Sequence, residues 1–149
     1  MGSLLETRGV GRWSARAAAV FCLVFAGLQI ALALGAPYGQ IVWGGSTTVL
    51  PAKLRLASAG AALYLLLASA ALLVRAGDWG RRLPATPFRG IAGVLALQLA
   101  LNTAGNLASS SPVERFGMGA ASALGFLLCL CAAAFTIEPA SSASKQLEE

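Results

Sequence analysis

The sequence has no histidine and only six acidic residues in a chain of 149. These two shortages exclude much chemistry at once. A Ser-His-Asp triad, a Cys-His dyad, a histidine-ligated haem and an H-E-x-x-H zinc site all need imidazole. Charge of either sign is scarce too. Charged residues make up 11% of the chain, against about 25% in a soluble domain. What fills their place is hydrophobic, at 57%, with a mean hydropathy of +0.73. The expectation is an integral membrane protein, small enough for one bundle.

Eleven Lys and Arg outnumber the acids and give a net charge of +5. A basic stripe on a soluble fold would point to nucleic acid. Here the basic residues form short clusters beside apolar runs, as the flanks of membrane spans do. Nucleic acid is therefore not an expected partner.

Four apolar runs are present: Ala17 to Leu34, Leu56 to Val74, Gly90 to Leu107 and Phe116 to Ile137. Each is near the roughly 17–25 residues a tilted helix needs to cross the hydrocarbon core. None alternates in polarity, so helices rather than barrel strands are expected. The fold class is all-α, a transmembrane four-helix bundle over residues 17–137. A short N-terminal segment (1–16) precedes it. A Ser- and Ala-rich tail (138–149), expected to be disordered, follows it. The first run also has the look of a signal peptide, with Ala31-Leu32-Ala33 as a small-residue cleavage site. It is longer than the roughly 7–15 residues of such a region, so a retained helix is the expectation. Cleavage would leave three spans.

Sidedness follows from the basic residues. Arg8, Arg12, Arg16, Arg75, Arg81, Arg82, Arg89 and Lys145 fall on one side of the four spans, and Lys53, Arg55 and Arg115 on the other. The side richer in Lys and Arg is the cytoplasmic one. Both termini are thus expected in the cytoplasm, in a multi-pass protein of the cell membrane.

Small residues supply the packing. Ala121, Gly125 and Cys129 recur every four residues in the fourth run, and Ala57, Ser58, Ala61 and Ala62 cluster in the second. Helices in lipid associate by such close approach. Cys22, Cys129 and Cys131 read as small buried hydrophobes. Cys129 and Cys131 are two apart and point to different helix faces, and no metal or cofactor is expected.

Two features resist a purely structural account. Gln98, Asn102 and Asn106 repeat every four residues and share one helix face. Lipid disfavours that face, so it should point inward, either as interhelical glue or as the wall of a polar cavity. Gln29 sits at a similar depth in the first run. The outer loops are the second feature. The first, from Gly35 to Arg55, carries Tyr38, Ile41, Val42 and Trp43, too apolar for water and expected to cap the bundle. The second runs from Asn106 to Arg115. Its Ser111, Pro112 and Glu114 form an S-x-x-E capping box. Arg55, Glu114 and Arg115 at this mouth are either snorkelling and capping groups or the polar anchors of a ligand site.

The pattern G-x-P-x-G-x-x-x-W-G-G is carried by Gly35, Pro37, Gly39, Trp43, Gly44 and Gly45. L-P-x-x-L-R-x-x-S follows at Leu50, Pro51, Leu54, Arg55 and Ser58, and N-x-x-S-x-S-x-x-E-R at Asn106, Ser109, Ser111, Glu114 and Arg115. Together they resemble small four-helix membrane proteins of high-GC actinobacteria. The resemblance implies a bacterial inner-membrane location and no activity.

Three functions compete. The first is a membrane binding or accessory protein, with an outward pocket for a lipid-like ligand or for a partner membrane subunit. Its candidate residues are Trp43, Arg55, Gln98, Asn102, Asn106, Glu114 and Arg115. An arginine would hold a phosphate or carboxylate headgroup. The second is a small oligomeric transporter for a neutral solute, disfavoured by the lack of a carboxylate inside any run. The third is an integral enzyme, for which only Glu114 offers acid-base chemistry and no catalytic set assembles.

Overall fold

The computed structural model describes residues 2–43, 47–80 and 83–135. The expected C-terminal tail, Gly44, Gly45, Arg81, Arg82 and Lys145 lie outside the described residues. The described residues form four α-helices: α1 (Gly2–Ala33), α2 (Ala52–Ala76), α3 (Ala85–Leu107) and α4 (Gly119–Ala134). A π-helical turn, Val113–Met118, leads into α4. Four stretches are long and apolar enough to cross a membrane: Gly9–Ala33, Ala52–Ala76, Thr86–Leu107 and Val113–Ala134. Among the described residues there is no strand. α1 begins well before the apolar run, so much of the basic N-terminal segment is helical.

Proline and glycine set the boundaries. Pro51 and Pro84 stand immediately before α2 and α3 in extended backbone. Proline there sacrifices no hydrogen bond, since the first N–H groups of a helix have no partner within it. Gly35 and Gly77 close α1 and α2 with φ of 95° and 79°. At Gly77 the Asp78 N–H reaches back to Leu73 O and the Gly77 N–H to Val74 O, a Schellman end that only glycine adopts without strain.

The helices run up and down in a ring. α1 lies between α2 and α4, and α3 between α4 and α2, with the α2–α3 seam the loosest of the four. The interior is made of small side chains: Ala15, Ala18, Ala19, Cys22, Ala68, Ala76, Ala92, Ala96, Cys129 and Ala132, with Leu72 and Leu95 between them. The large ones face outward, Leu56 at 75% and Phe116 at 71% exposure. Lipid gives leucine no reason to hide, whereas alanine lets two backbones approach. The buried stripe of α4 is Ser122, Gly125, Cys129 and Ala132, one position off the expected Ala121. A Cβ on Gly125 would come within 2.7 Å of the Phe21 ring. On α2 the buried members of the expected cluster are Ser58 and Ala62, and Ala57 faces out.

Arginines close the ends. Arg75 donates through Nε to Ala132 O (3.1 Å) and through Nη2 to Phe135 O (2.7 Å). Arg89 donates to Ala133 O (2.7 Å) and Ala134 O (3.5 Å). The carbonyls of Ala132, Ala133 and Ala134 at the end of α4 are thus taken by side chains of α2 and α3. Arg16 of α1 forms a bidentate pair with Asp78 of the α2–α3 loop, at 2.7 and 2.6 Å, and its guanidinium lies over Trp13. At the opposite end Arg55 donates to Ala33 O of α1 (2.9 Å). Arg115 donates to Ser109 O just beyond α3 (3.1 Å).

Arg75 is only 3% exposed, whereas Arg89 is exposed. Arg75→Met is therefore expected to cost about 1.5–3 kcal/mol for each charge-assisted bond lost, seen as a fall in thermal midpoint in detergent. Arg89→Met should shift the midpoint less. Equal shifts would mean that burial does not govern the strength of these caps.

Candidate functional site

The alanine interior fills the half of the bundle that holds Arg16 of α1 and the end of α4. At the other end the two loops form a separate apolar cap of Leu32, Val42 and Leu50, with Ile41, Leu54 and Met118 packed against it. Between the two lies a cavity of about 300 Å³. A second space of about 330 Å³ adjoins it towards the loops. Gln29, Trp43, Asn102, Asn106 and Met118 line both, so the two form one cleft.

All four helices contribute. α1 supplies Phe21, Phe25 and Gln29 at four-residue spacing, α2 supplies Ala61, Tyr64 and Leu65, and α3 supplies Leu95, Gln98, Leu99, Asn102 and Asn106. Ser122 and Met118 close the α4 side. The end nearest the alanine interior is apolar, with Phe21 and Phe25 in ring contact at 4.6 Å between centroids. Polar groups collect towards the loops. Trp43 is the roof. Its φ of 57° lies in the left-handed region that bulky residues avoid, and its indole Nε1 donates to Ser58 Oγ at 3.1 Å. Gly39 lets this loop fold tightly. Its N–H donates to Thr48 O at 2.8 Å, and a Cβ there would run into the Thr47 and Thr48 carbonyls.

The three amides divide their roles. The Tyr64 hydroxyl donates to Gln98 Oε1 and bridges the loose α2–α3 seam. Asn106 Nδ2 donates to Ser122 Oγ at 3.3 Å, beside Thr103 Oγ1, which lies 3.1 Å from the same oxygen. These contacts join α3 to α4. Asn102, between the two, is exposed on the wall of both parts of the cleft. The stripe does face the bundle, but onto an open cleft rather than a sealed core. Gln29 Oε1 is buried and has no hydrogen-bond partner among the described residues.

Glu114 also lines the loop-side space. It is 6% exposed. It lies in the first turn of the fourth spanning stretch, whereas the apolar run alone starts two residues later. Its role is relayed rather than reciprocal. The Glu114 N–H donates to Ser111 Oγ (3.4 Å) as a capping box requires. Its carboxylate instead accepts from Ser109 Oγ (2.6 Å), which in turn accepts from the Ser111 N–H (3.1 Å). Arg55 and Arg115 do not line the cleft. Both turn to backbone carbonyls, and the Arg55 guanidinium lies against Gly35, about 3.3 Å from where a Cβ would stand.

Of the expected site, Trp43, Gln98, Asn102, Asn106 and Glu114 are therefore together, and the two arginines stand apart. Tyr64, Phe21, Phe25 and Ser122 join the site without having been singled out by sequence. Tyr64 and Ser122 carried a signal, as hydroxyls inside apolar runs. Among the described residues no three His, Cys, Asp or Glu side chains gather as metal ligands would. Ser109→Ala is expected to cost about 1–3 kcal/mol by leaving the buried Glu114 carboxylate short of a donor. Ser110→Ala, at the exposed neighbour, should change nothing. The check is a pair of thermal melts in detergent. The chain matches no family model, no curated protein and no solved structure, so the site is read from its own chemistry.

Proposed function

We propose that this is a multi-pass protein of the cell membrane that binds an amphiphilic, lipid-like molecule in the cleft between its four helices. The observation that carries the reading is the polarity gradient of the cleft. Aromatic and leucine side chains line one end of it, and Gln29, Asn102 and Asn106 the other. A pocket largely apolar with a few converging polar groups is what a small-molecule site requires. Its volume also falls at the lower end of the usual range, roughly 300–1,000 Å³. Both termini lie in the cytoplasm in this reading, and the Trp43 roof faces outward. The grouping of Arg16, Arg75 and Arg89 at the terminal end supports that orientation. A bacterial inner membrane is the location that the actinobacterial resemblance implies.

Binding is expected to survive extraction. Native mass spectrometry of the protein in mild detergent should show an adduct of defined mass. Ala61→Phe places a ring inside the cleft and should remove the adduct. Ala57→Phe, on the outer face of α2, should keep it. An adduct that persists in Ala61→Phe would place the ligand on the lipid-facing surface and end this reading. Orientation has its own check. A Lys53→Cys thiol should react with a membrane-impermeant maleimide in intact cells, and a Trp79→Cys thiol only after permeabilisation. The reverse pattern would invert the protein.

A further inference from the structure

We infer that the ligand's head is an uncharged hydroxyl, docked on the Gln29 amide beneath Trp43, with its chain lying towards Phe25, Leu65 and Leu99. The inference rests on the proposed binding role and names the class of ligand. Two observations carry it.

The first is the orphaned acceptor. Gln29 lines both parts of the cleft, and its Oε1 is buried and finds no partner among the described residues. Three of the neighbouring polar groups are already engaged, Gln98 by Tyr64, Asn106 by Ser122 and Trp43 by Ser58, and exposed Asn102 stands beside Gln29 on the same wall. A buried amide left unpaired is costly, and a ligand that completes it gains what the empty site lacks. An amide presents an acceptor on one side and a donor on the other, and its partners decide which way round it stands. The head that suits it in either orientation both donates and accepts, as a hydroxyl does.

The second is the charge of the lining. Among the described residues no Lys or Arg lines either part of the cleft. Arg55 and Arg115, the two arginines at this end, donate to the Ala33 and Ser109 carbonyls. A phosphate or carboxylate head would enter without a counter-charge, next to the Glu114 carboxylate. Transfer of an unpaired anion into such a site is strongly disfavoured. Glu114 does not call for a cationic head, because its carboxylate already accepts from Ser109. The α2–α3 seam is the way in. It is the loosest side of the ring, and the Tyr64–Gln98 hydrogen bond across it offers a hydroxyl-bearing chain a like-for-like exchange.

The test uses Trp43 as the reporter. Trp13→Phe and Trp79→Phe remove the other two indoles, both exposed at the opposite end. The protein is placed in phosphatidylcholine nanodiscs, whose lipid carries no hydroxyl. Dodecanol brominated beside its head carbon serves as the quencher of Trp43 emission. Unbrominated dodecanol, dodecanoate, dodecylamine and dodecane then compete with it. Dodecanol is expected to relieve the quench at about tenfold lower concentration than the other three, one well-placed hydrogen bond being worth about that factor. Gln29→Leu should abolish this preference while competition itself remains. The inference is overturned if dodecanoate or dodecylamine competes best, if all four compete equally, or if Gln29→Leu keeps the preference. If the quench is the same in Ala61→Phe, the bromine reaches Trp43 from bulk lipid, and the binding role fails along with the headgroup assignment.

Discussion

The carbonyls left over where a helix ends are the constraint on which this bundle turns. A helix satisfies its own backbone everywhere except at its ends, and near lipid there is little water to help. The chain answers with guanidinium groups borrowed from neighbouring helices. Arg75 and Arg89 cover the end of α4, Arg55 that of α1, and Arg115 the turn after α3. α2 closes through backbone bonds at Gly77 and Asp78. Each cap ties one element to another, so satisfying the backbone also fixes which helices lie side by side. The positive charge sits at the negative end of a helix dipole, which adds to the same effect.

Once the ends are held, the middle can be uneven. Alanine and cysteine bring the helices close at the terminal end, while Phe21, Phe25, Tyr64 and Trp43 hold them apart nearer the loops. The cleft is thus a consequence of side-chain size along each helix, in a bundle whose two ends are separately secured. Its polar groups do double duty. Gln98 and Asn106 join helices, and Asn102 and Gln29 are left facing the open space.

The four spans were legible because a run of apolar residues is a property of neighbours in sequence. So was the register of the amide stripe, because residues four apart share a helix face. The partners of the arginines were not legible. Arg55 reaches a carbonyl 22 residues away and Arg75 ones 57 and 60 away. From sequence an arginine beside a span looks the same whether it meets lipid phosphate or a helix end. This is why Arg55 and Arg115 read as ligand anchors and stand in the structure as caps. The S-x-x-E signal fared better, since it placed Glu114 and Ser111 correctly. It missed Ser109, which lies outside the motif and intercepts the carboxylate. The aromatic end of the cleft gave no sign, because Phe21 and Phe25 look like any other members of an apolar run.

Gly125 gives the cleft a way to change. It does not line the cleft, yet it makes room for the ring of Phe21, which does. A larger residue there would push that ring towards the open space and shorten it from behind. The depth of the cleft is therefore adjustable from a position that does not line it, without disturbing Gln29 or Asn102. A substitution at this point of the fourth helix would reshape the aromatic end of the cleft and leave its polar end as it is.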